Sequence, residues 1–275
     1  MSDVRARLAE AKTIVVKVGT TTITHSNGSI NLHIVEKLVR VLADLHSDGK
    51  KIILVTSGAI GVGRSRMGML ERPRSLPEKQ ALAAIGQITL MHVYSKLFNE
   101  YGQIAAQVLI TRDVVDDENK KINVCNTFQT LLRYNSIPIV NENDTVATEE
   151  IEPVFGDNDT LSAVVATLVD ADLLILLSDI DGLYDKDPKS HVDANLIPVM
   201  YGINSQIPVE IEGTCSNWGT GGMKTKIAAA QICSEAGIPM VIANGNEPEH
   251  IYEILEGKQV GTLFVPEKIR SCCYE

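Results

Sequence analysis

The chain has 275 residues, 44% hydrophobic but only 4% aromatic, with a formal charge of −10. A chain this long can bury a large core, and one made of Val, Ile and Leu suits parallel strands covered on both faces, so an α/β fold is expected. The negative charge excludes a general nucleic-acid binder, which needs clustered Lys and Arg against the phosphates, and leaves any anionic substrate to be held by local lysines.

Cys125, Cys215, Cys233, Cys272 and Cys273 are odd in number and contain no C-x-x-C pair, which argues against a zinc or redox site and for a reducing compartment. Met1 to Lys12 reads as a charged helix or arm without a signal-peptide core. No apolar run reaches the length of about 18 residues that a membrane helix needs. No membrane contact and a cytoplasmic location are therefore expected.

Thr13 to Val18 is a β-branched run that stops at Gly19 and Thr20, a strand feeding a polar turn. Lys17 inside it is costly to bury unless it meets an anion; otherwise it snorkels from an edge strand. Asn31 caps a helix with apolar residues at helical spacing from Ile34 to Leu45, ended by Gly49. Lys51 to Thr56 is the second strand. The Ser57-Gly58-Ala59-Ile60-Gly61-Val62-Gly63 turn after it lets backbone N–H groups approach a ligand or simply makes a tight connection. Its glycine order is not the dinucleotide G-x-G-x-x-G. Pro77 opens a mostly apolar helix to Tyr101, which suits core or a subunit interface.

Ile104 to Ile110 is a third strand, Asn119 to Tyr134 a helix, and Ile137 to Val140 a strand ending in Asn141-Glu142-Asn143-Asp144. Polar residues at strand carboxyl ends are where open α/β sheets bind ligands, although turn chemistry also places such residues there. Thr148 to Val154 looks like a hairpin arm. Beyond it, Gly156-Asp157-Asn158-Asp159-Thr160 precedes the small, apolar helix Leu161 to Leu168. One of these polar residues suffices to cap the helix, a contribution of ~1 kcal/mol. Four invite a second role, such as positioning a cation or a pair of lysines.

Asp172 to Leu177 is a buried strand followed by Ser178, Asp179 and a polar loop through Pro188. Trp218 to Lys226 supplies glycines and two lysines ahead of a helix from Ile227 to Ala236. These are the parts of an anion site, without the Walker pattern, or of a flexible hinge. Ile238 to Ala243 and Gly261 to Val265 read as closing strands around the helix Glu249 to Leu255, and Ile269 to Glu275 as a loose tail. The alternation implies one continuous sheet in a single domain, 1–275, with lobes of about 1–156 and 157–265 and a tail of 266–275.

Taken together, Lys17-Val18-Gly19-Thr20, Thr56 to Ile60, Asn141 to Asp144, Gly156 to Asp159, Ser178-Asp179 with Gly182-Leu183-Tyr184, and Gly219 to Met223 with Lys226 resemble the glutamate 5-kinases of the amino acid kinase superfamily. Each motif is weak alone; six in register over residues 13 to 265 are not. The resemblance implies a three-layer α/β/α sandwich with a largely parallel sheet, an amino-acid lobe and a nucleotide lobe. It implies transfer of the ATP γ-phosphoryl group to the side-chain carboxylate of L-glutamate, the first step of proline biosynthesis, with Mg²⁺ held mainly through the ATP phosphates and no direct protein ligand. By that pattern Ser57, Asp144, Asn143 and Asn158 hold glutamate, with Gly58 and Ala59 adding backbone contacts. Lys17, Gly19, Thr20, Ser178, Asp179 and Thr220, Gly221, Gly222, Met223, Lys224, Thr225 and Lys226 hold ATP. Lys17 and Lys226 act on the transferring group, oriented by Asp159 with help from Asp157.

The residue chemistry agrees with those roles. A γ-carboxylate is already a nucleophile, so catalysis rests on positioning and on cations that offset charge on the equatorial oxygens. An acid between two lysines keeps both protonated and aimed. Two departures stand out: the chain ends before the PUA domain that many relatives carry, and Lys224 occupies a position that is often small and polar, so it is left out of the catalytic set. Relatives are commonly inhibited by proline at the glutamate site, which these residues leave open. A homo-oligomer, dimer or tetramer, is expected from the Pro77 to Tyr101 helix. Two other readings remain: a superfamily kinase acting on acetylglutamate, aspartate, carbamate or uridylate, and a non-catalytic amino-acid or nucleotide sensor.

Overall fold

The computed structural model describes residues 2–111, 114–146, 158–188, 190–202 and 222–267. The expected hairpin arm at Thr148 to Val154, Asp157, Thr220, Gly221 and the tail beyond Glu267 lie outside these. Among the described residues no helix is long and apolar enough to cross a membrane.

The β-branched runs form strands as expected. Thr13–Val18 (β1) pairs in parallel with Lys51–Val55 (β2) on one side and Leu173–Ser178 (β5) on the other. Ile104–Ile110 (β3) and Ser136–Glu142 (β4) extend the sheet beyond β2, and Met240–Asn244 (β7), Thr262–Val265 (β8) and Val199–Tyr201 (β6) extend it beyond β5. Among the described residues the order is β3-β4-β2-β1-β5-β7-β8-β6, one eight-stranded sheet in which only the β7–β8 pairing is antiparallel. Strands from the first half of the chain thus fill one side, and strands from the second half the other. β1 and β5, where the two series meet, form the point at which an open parallel sheet makes a crevice at its carboxyl edge. Lys17 ends up on a central strand, which removes the edge-strand alternative.

Strand alternation sorts side chains to two cores. Ile14, Val16 and Val18 point to one face, where Leu32–Ser47 (α3) and Leu76–Glu100 (α5) contribute Leu38, Leu42, Leu90, Tyr94 and Phe98. Val15 points to the other, covered by Glu118–Arg133 (α6), Asn158–Leu168 (α7) and Gly222–Glu235 (α8) through Phe128, Ala163, Ala166, Ala229 and Ala230. Lys17 shares the parity of Val15, so the same alternation sends its ammonium toward the N-termini of α7 and α8. The small residues of those two helices let them lie close together, with α7 beneath β1.

Local signals set the helix starts. The Asn31 side chain accepts from the Ile34 N–H at 3.4 Å, and Ser75 and Glu78 form a capping box ahead of α5. Ala59–Arg66 (α4) follows Gly58, whose φ of 94° is the left-handed conformation that favours glycine. α4 lies against α5 almost backbone to backbone: a Cβ on Gly86 would stand 1.8 Å from the Ala59 carbonyl oxygen. At the amino end, Ser2–Ala6 (α1) and the 3₁₀ turn Arg7–Glu10 are tied to the far end of the sheet by the buried Arg5 guanidinium. It donates to the carbonyls of Pro198, Lys258, Val260 and Gly261 at 2.7 to 3.0 Å. A charged helix or arm is expected here, and α1 is helical; the burial of its cation on four carbonyls is not legible in the sequence.

Candidate active site

Two groups of polar residues meet at the first turn of α7, one on Asp159 and one on its neighbour Asn158. Asp159 is fully buried. One of its carboxylate oxygens pairs with Lys17 Nζ, and the other receives Lys226 Nζ at 2.9 Å and Thr225 Oγ1 at 3.0 Å. Lys226 also donates to the Gly222 carbonyl at 3.1 Å. The amines of the first strand and of the late glycine-rich segment, 209 positions apart in sequence, therefore stand on opposite oxygens of one acid. Burial alone pushes the Asp159 carboxyl up, but the charges of Lys17 and then Lys226 outweigh it and hold it below the usual carboxylate range. Lys17 and Lys226 are themselves only 4% and 7% exposed, so the three charges are desolvated as a unit. A Cβ on Gly19 would lie 3.7 Å from Lys17 Nζ, so the glycine keeps the approach to that amine free of side chain.

Asn158 belongs to a different kind of assembly. Its Nδ2 donates to the Thr56 carbonyl, to Ser57 Oγ at 3.0 Å and to Asn141 Oδ1 at 2.8 Å. These contacts join the ends of β2 and β4 to α7. They form one wall of a cavity of about 210 Å³ lined by Thr20, Ser57, Gly58, Ala59, Ile60, Gly61, Asn141, Glu142, Asp144 and Asn158. Burial pushes the Asp144 carboxyl up to about 6. Glu142 is raised as well, by burial and then by the charge of Asp144. An acidic cavity beside two buried ammonium groups can take a ligand with a cation at one end and an anion at the other.

Ser57, Gly58, Ala59, Asp144 and Asn158 thus come together in the cavity. Asn143 is not among its lining residues; in the turn that follows β4 its Oδ1 accepts from Thr145 Oγ1 at 2.7 Å. Thr20, which the resemblance assigns to ATP, lines the cavity too. Asn141 and Glu142 lie in the quoted tetrad but not among the residues given a role, and a strand that runs to position 142 is what brings them in.

On the other side of β1, Ser178 Oγ donates to Asp179 Oδ1 at 3.1 Å and the Ser178 carbonyl accepts from the Gly245 N–H at 2.7 Å. Both residues stand at the carboxyl end of β5, beside β1. Helix α8 begins at Gly222, five positions before the expected Ile227, which puts Met223, Lys224, Thr225 and Lys226 on helical spacing. Met223 is buried in the second core and Lys224 is exposed, whereas Thr225 and Lys226 turn to Asp159. Of the four, only the Lys226 side chain offers a cation next to Lys17; Met223 is spent on packing, and Thr225 on orienting the acid.

A sequence model described as the amino acid kinase family matches residues 12–244. The chain belongs to the amino acid kinase family. Among curated relatives within that family, the glutamate 5-kinase of Clostridium perfringens is 52% identical over 266 residues, covering 96% of this chain and 99% of that protein. The glutamate 5-kinase of Listeria monocytogenes (EGD-e) is 53% identical over 270 residues, covering 96% of each. The amino acid kinase fold is seen in solved structures as well. The UMP kinase of Ureaplasma parvum superposes with a TM-score of 0.63 at 17% identity, covering 92% of this chain and 98% of that one. A T. acidophilum isopentenyl phosphate kinase product complex gives 0.57 at 18%, covering 92% and 99%. Identities that low speak for the fold alone.

Proposed function

We infer that this chain is a glutamate 5-kinase: it transfers the γ-phosphoryl group of ATP to the side-chain carboxylate of L-glutamate, giving L-glutamyl 5-phosphate and ADP, the first step of proline biosynthesis. The observation that carries the reading is the convergence of Lys17 and Lys226 on Asp159, one residue from the acid-lined cavity. Identity of 52% over nearly the whole of a curated glutamate 5-kinase supports the choice of substrate.

In this reading glutamate sits in the cavity with its ammonium toward Asp144 and its γ-carboxylate toward β1. ATP lies over the carboxyl ends of β5 and β7, near Ser178 and Asp179, with its phosphates toward the N-terminus of α8. A γ-carboxylate oxygen attacks phosphorus, the bond to the bridging oxygen of ADP breaks, and no proton has to move. The work of the protein is to bring two anions together and to offset charge on the equatorial oxygens. Lys17 and Lys226 supply that offset from opposite sides. Desolvation strengthens their effect, and the fixed carboxylate between them spares reorganisation during the reaction. Mg²⁺ bound to the ATP phosphates would add further charge neutralisation. Both oxygens of Asp159 already face ammonium groups, so this donor set fits a metal carried by the nucleotide.

The test is trapping of the acyl phosphate with hydroxylamine. Hydroxamate forms only when glutamate and Mg-ATP are both present; formation with acetylglutamate or aspartate, and not glutamate, overturns the assignment of substrate. In the same assay, titrating proline against glutamate reads whether a ligand lacking the γ-carboxylate competes for the cavity. A homo-oligomer is part of the reading. The exposure of Ile88 on α5, 73%, and of Ile104 on edge strand β3, 65%, supports it, and a monomer mass in sedimentation equilibrium would remove it.

A further inference from the structure

The cavity wall holds a chain of side-chain amides whose direction is fixed at one end only. A carboxamide offers a donor at one tip and an acceptor at the other, and which faces which is decided by the network around it. The Thr56 carbonyl can only accept, so the Asn158 atom facing it has to be Nδ2. That nitrogen also faces Asn141, which must therefore present Oδ1. Asn141 then has Nδ2 on its other side, where it donates to Gln87 Oε1 at 2.8 Å. Every polar contact of the Asn158 amide among the described residues is made by nitrogen, so what it offers the cavity is an acceptor.

Gln87 closes this chain from α5, a helix that contributes no residue to the cavity lining. Seven residues on, and so on the same face of the helix, Tyr94 OH meets Thr56 Oγ1 at 2.9 Å. Gln87 Nε2 is buried without a hydrogen-bond partner among the described residues; the glutamine holds its orientation for the sake of its oxygen.

We propose that Gln87 is a positioning residue: by accepting from Asn141 Nδ2 it holds Asn141, and through it Asn158, in the amide orientation that the Thr56 carbonyl dictates, so that the cavity presents an acceptor to the protonated amine of an amino-acid substrate. The inference rests on the functional reading above and deepens it: selection of a free ammonium group is governed partly from outside the cavity. Without the Gln87 oxygen, the inward Asn141 nitrogen loses its partner, Asn141 is no longer held against Asn158, and Asn158 keeps its place on Thr56 and Ser57 alone.

The experiment compares kcat/KM for glutamate with that for glutarate, which has both carboxylates and no amine. Gln87→Met keeps the length of the side chain and removes the acceptor; Gln87→Glu keeps the acceptor. In Gln87→Met the preference for glutamate over glutarate falls about tenfold, as expected for one hydrogen bond to a charged group, with kcat and the KM for ATP within about twofold of the parent value. Gln87→Glu retains the preference. An unchanged preference in Gln87→Met, or an equal loss in Gln87→Glu, overturns the proposal, because general damage to packing does not tell an amine from a hydrogen. If Gln87→Met does not fold, side-chain ¹⁵N spectra of the parent protein decide: the Asn158 NH₂ pair stays in place when glutamate binds, and a large shift of that pair overturns the proposal. A parent enzyme that makes no glutamate hydroxamate would overturn the functional reading instead, and the glutamate-to-glutarate comparison is then read by calorimetric binding.

Discussion

Asn158 and Asp159 are neighbours on the first turn of one helix, yet they anchor assemblies of opposite character. Around Asn158 the groups are neutral amides, hydroxyls and a backbone carbonyl, held by hydrogen bonds whose direction is fixed. Around Asp159 they are two buried cations on one buried anion. The neutral assembly discriminates by geometry, since a misplaced donor or acceptor goes unmet. In the proposed reaction the charged one meets accumulating negative charge. On the proposed reading, a helix that supplies consecutive residues to both keeps an amino-acid site and a phosphoryl-transfer site in register.

The comparison breaks first at the acid. Asp159→Ala leaves two ammonium groups buried without their counter-ion, and loss of one partner from a buried pair costs about 3–5 kcal/mol. Thermal unfolding should show that loss, together with loss of turnover; a variant as stable as the parent would mean that the lysines relax to solvent. Lys17→Ala or Lys226→Ala should lower kcat by ~10²-fold or more, corresponding to the ~2.7–4 kcal/mol of an absent transition-state donor, with modest changes in KM. Near-normal turnover in both would remove the mechanism.

On the cavity side the effects are smaller and fall on binding. The Asp144 carboxyl, raised by burial to about 6, is neutral below that pH in the free enzyme and ionised above it, and a bound ammonium favours the ionised form. The KM for glutamate should therefore rise as pH falls through about 6, by up to about tenfold per unit, while kcat, read on the complex, changes less. Asp144→Asn should raise KM and flatten this profile; a profile that keeps its step in the variant assigns it to another group, with Glu142 the nearest candidate. Smallest of all, Lys224→Ala should leave kcat within about twofold of the parent, with any loss confined to the KM for ATP, because its side chain is exposed while those of Lys17 and Lys226 are buried on Asp159.

What could be read from the sequence follows the same division. Strands β1, β2 and β5 announce themselves as runs of Val, Ile and Leu, and α5 by its apolar length from Pro77. Local pattern carries these elements. Strand β6 escapes such reading: Val199–Tyr201 is three residues between a proline and a glycine, paired only with β8, and has no period to detect. Nor does the pattern reveal that β8 runs antiparallel to β7. Lys17, alone and charged in an apolar strand, signals a site because burying it needs an anion, and the acids around the start of α7 signal the other half of it. The amide chain from Gln87 through Asn141 to Asn158 gives no such signal. Its links join positions 54 and 17 residues apart, and a glutamine on a half-buried helix face looks in sequence like any solvated one.

The central claim is that the two ammonium groups act on one migrating phosphoryl group through the acid they share. A double-mutant cycle in kcat with Lys17→Met and Lys226→Met, at saturating glutamate and Mg-ATP, tests it most directly. Groups that act as a unit are strongly non-additive, so the double variant should lose much less than the product of the two single losses. Losses that multiply, to within about 0.5 kcal/mol, would show that the two lysines serve separate steps and would contradict the account.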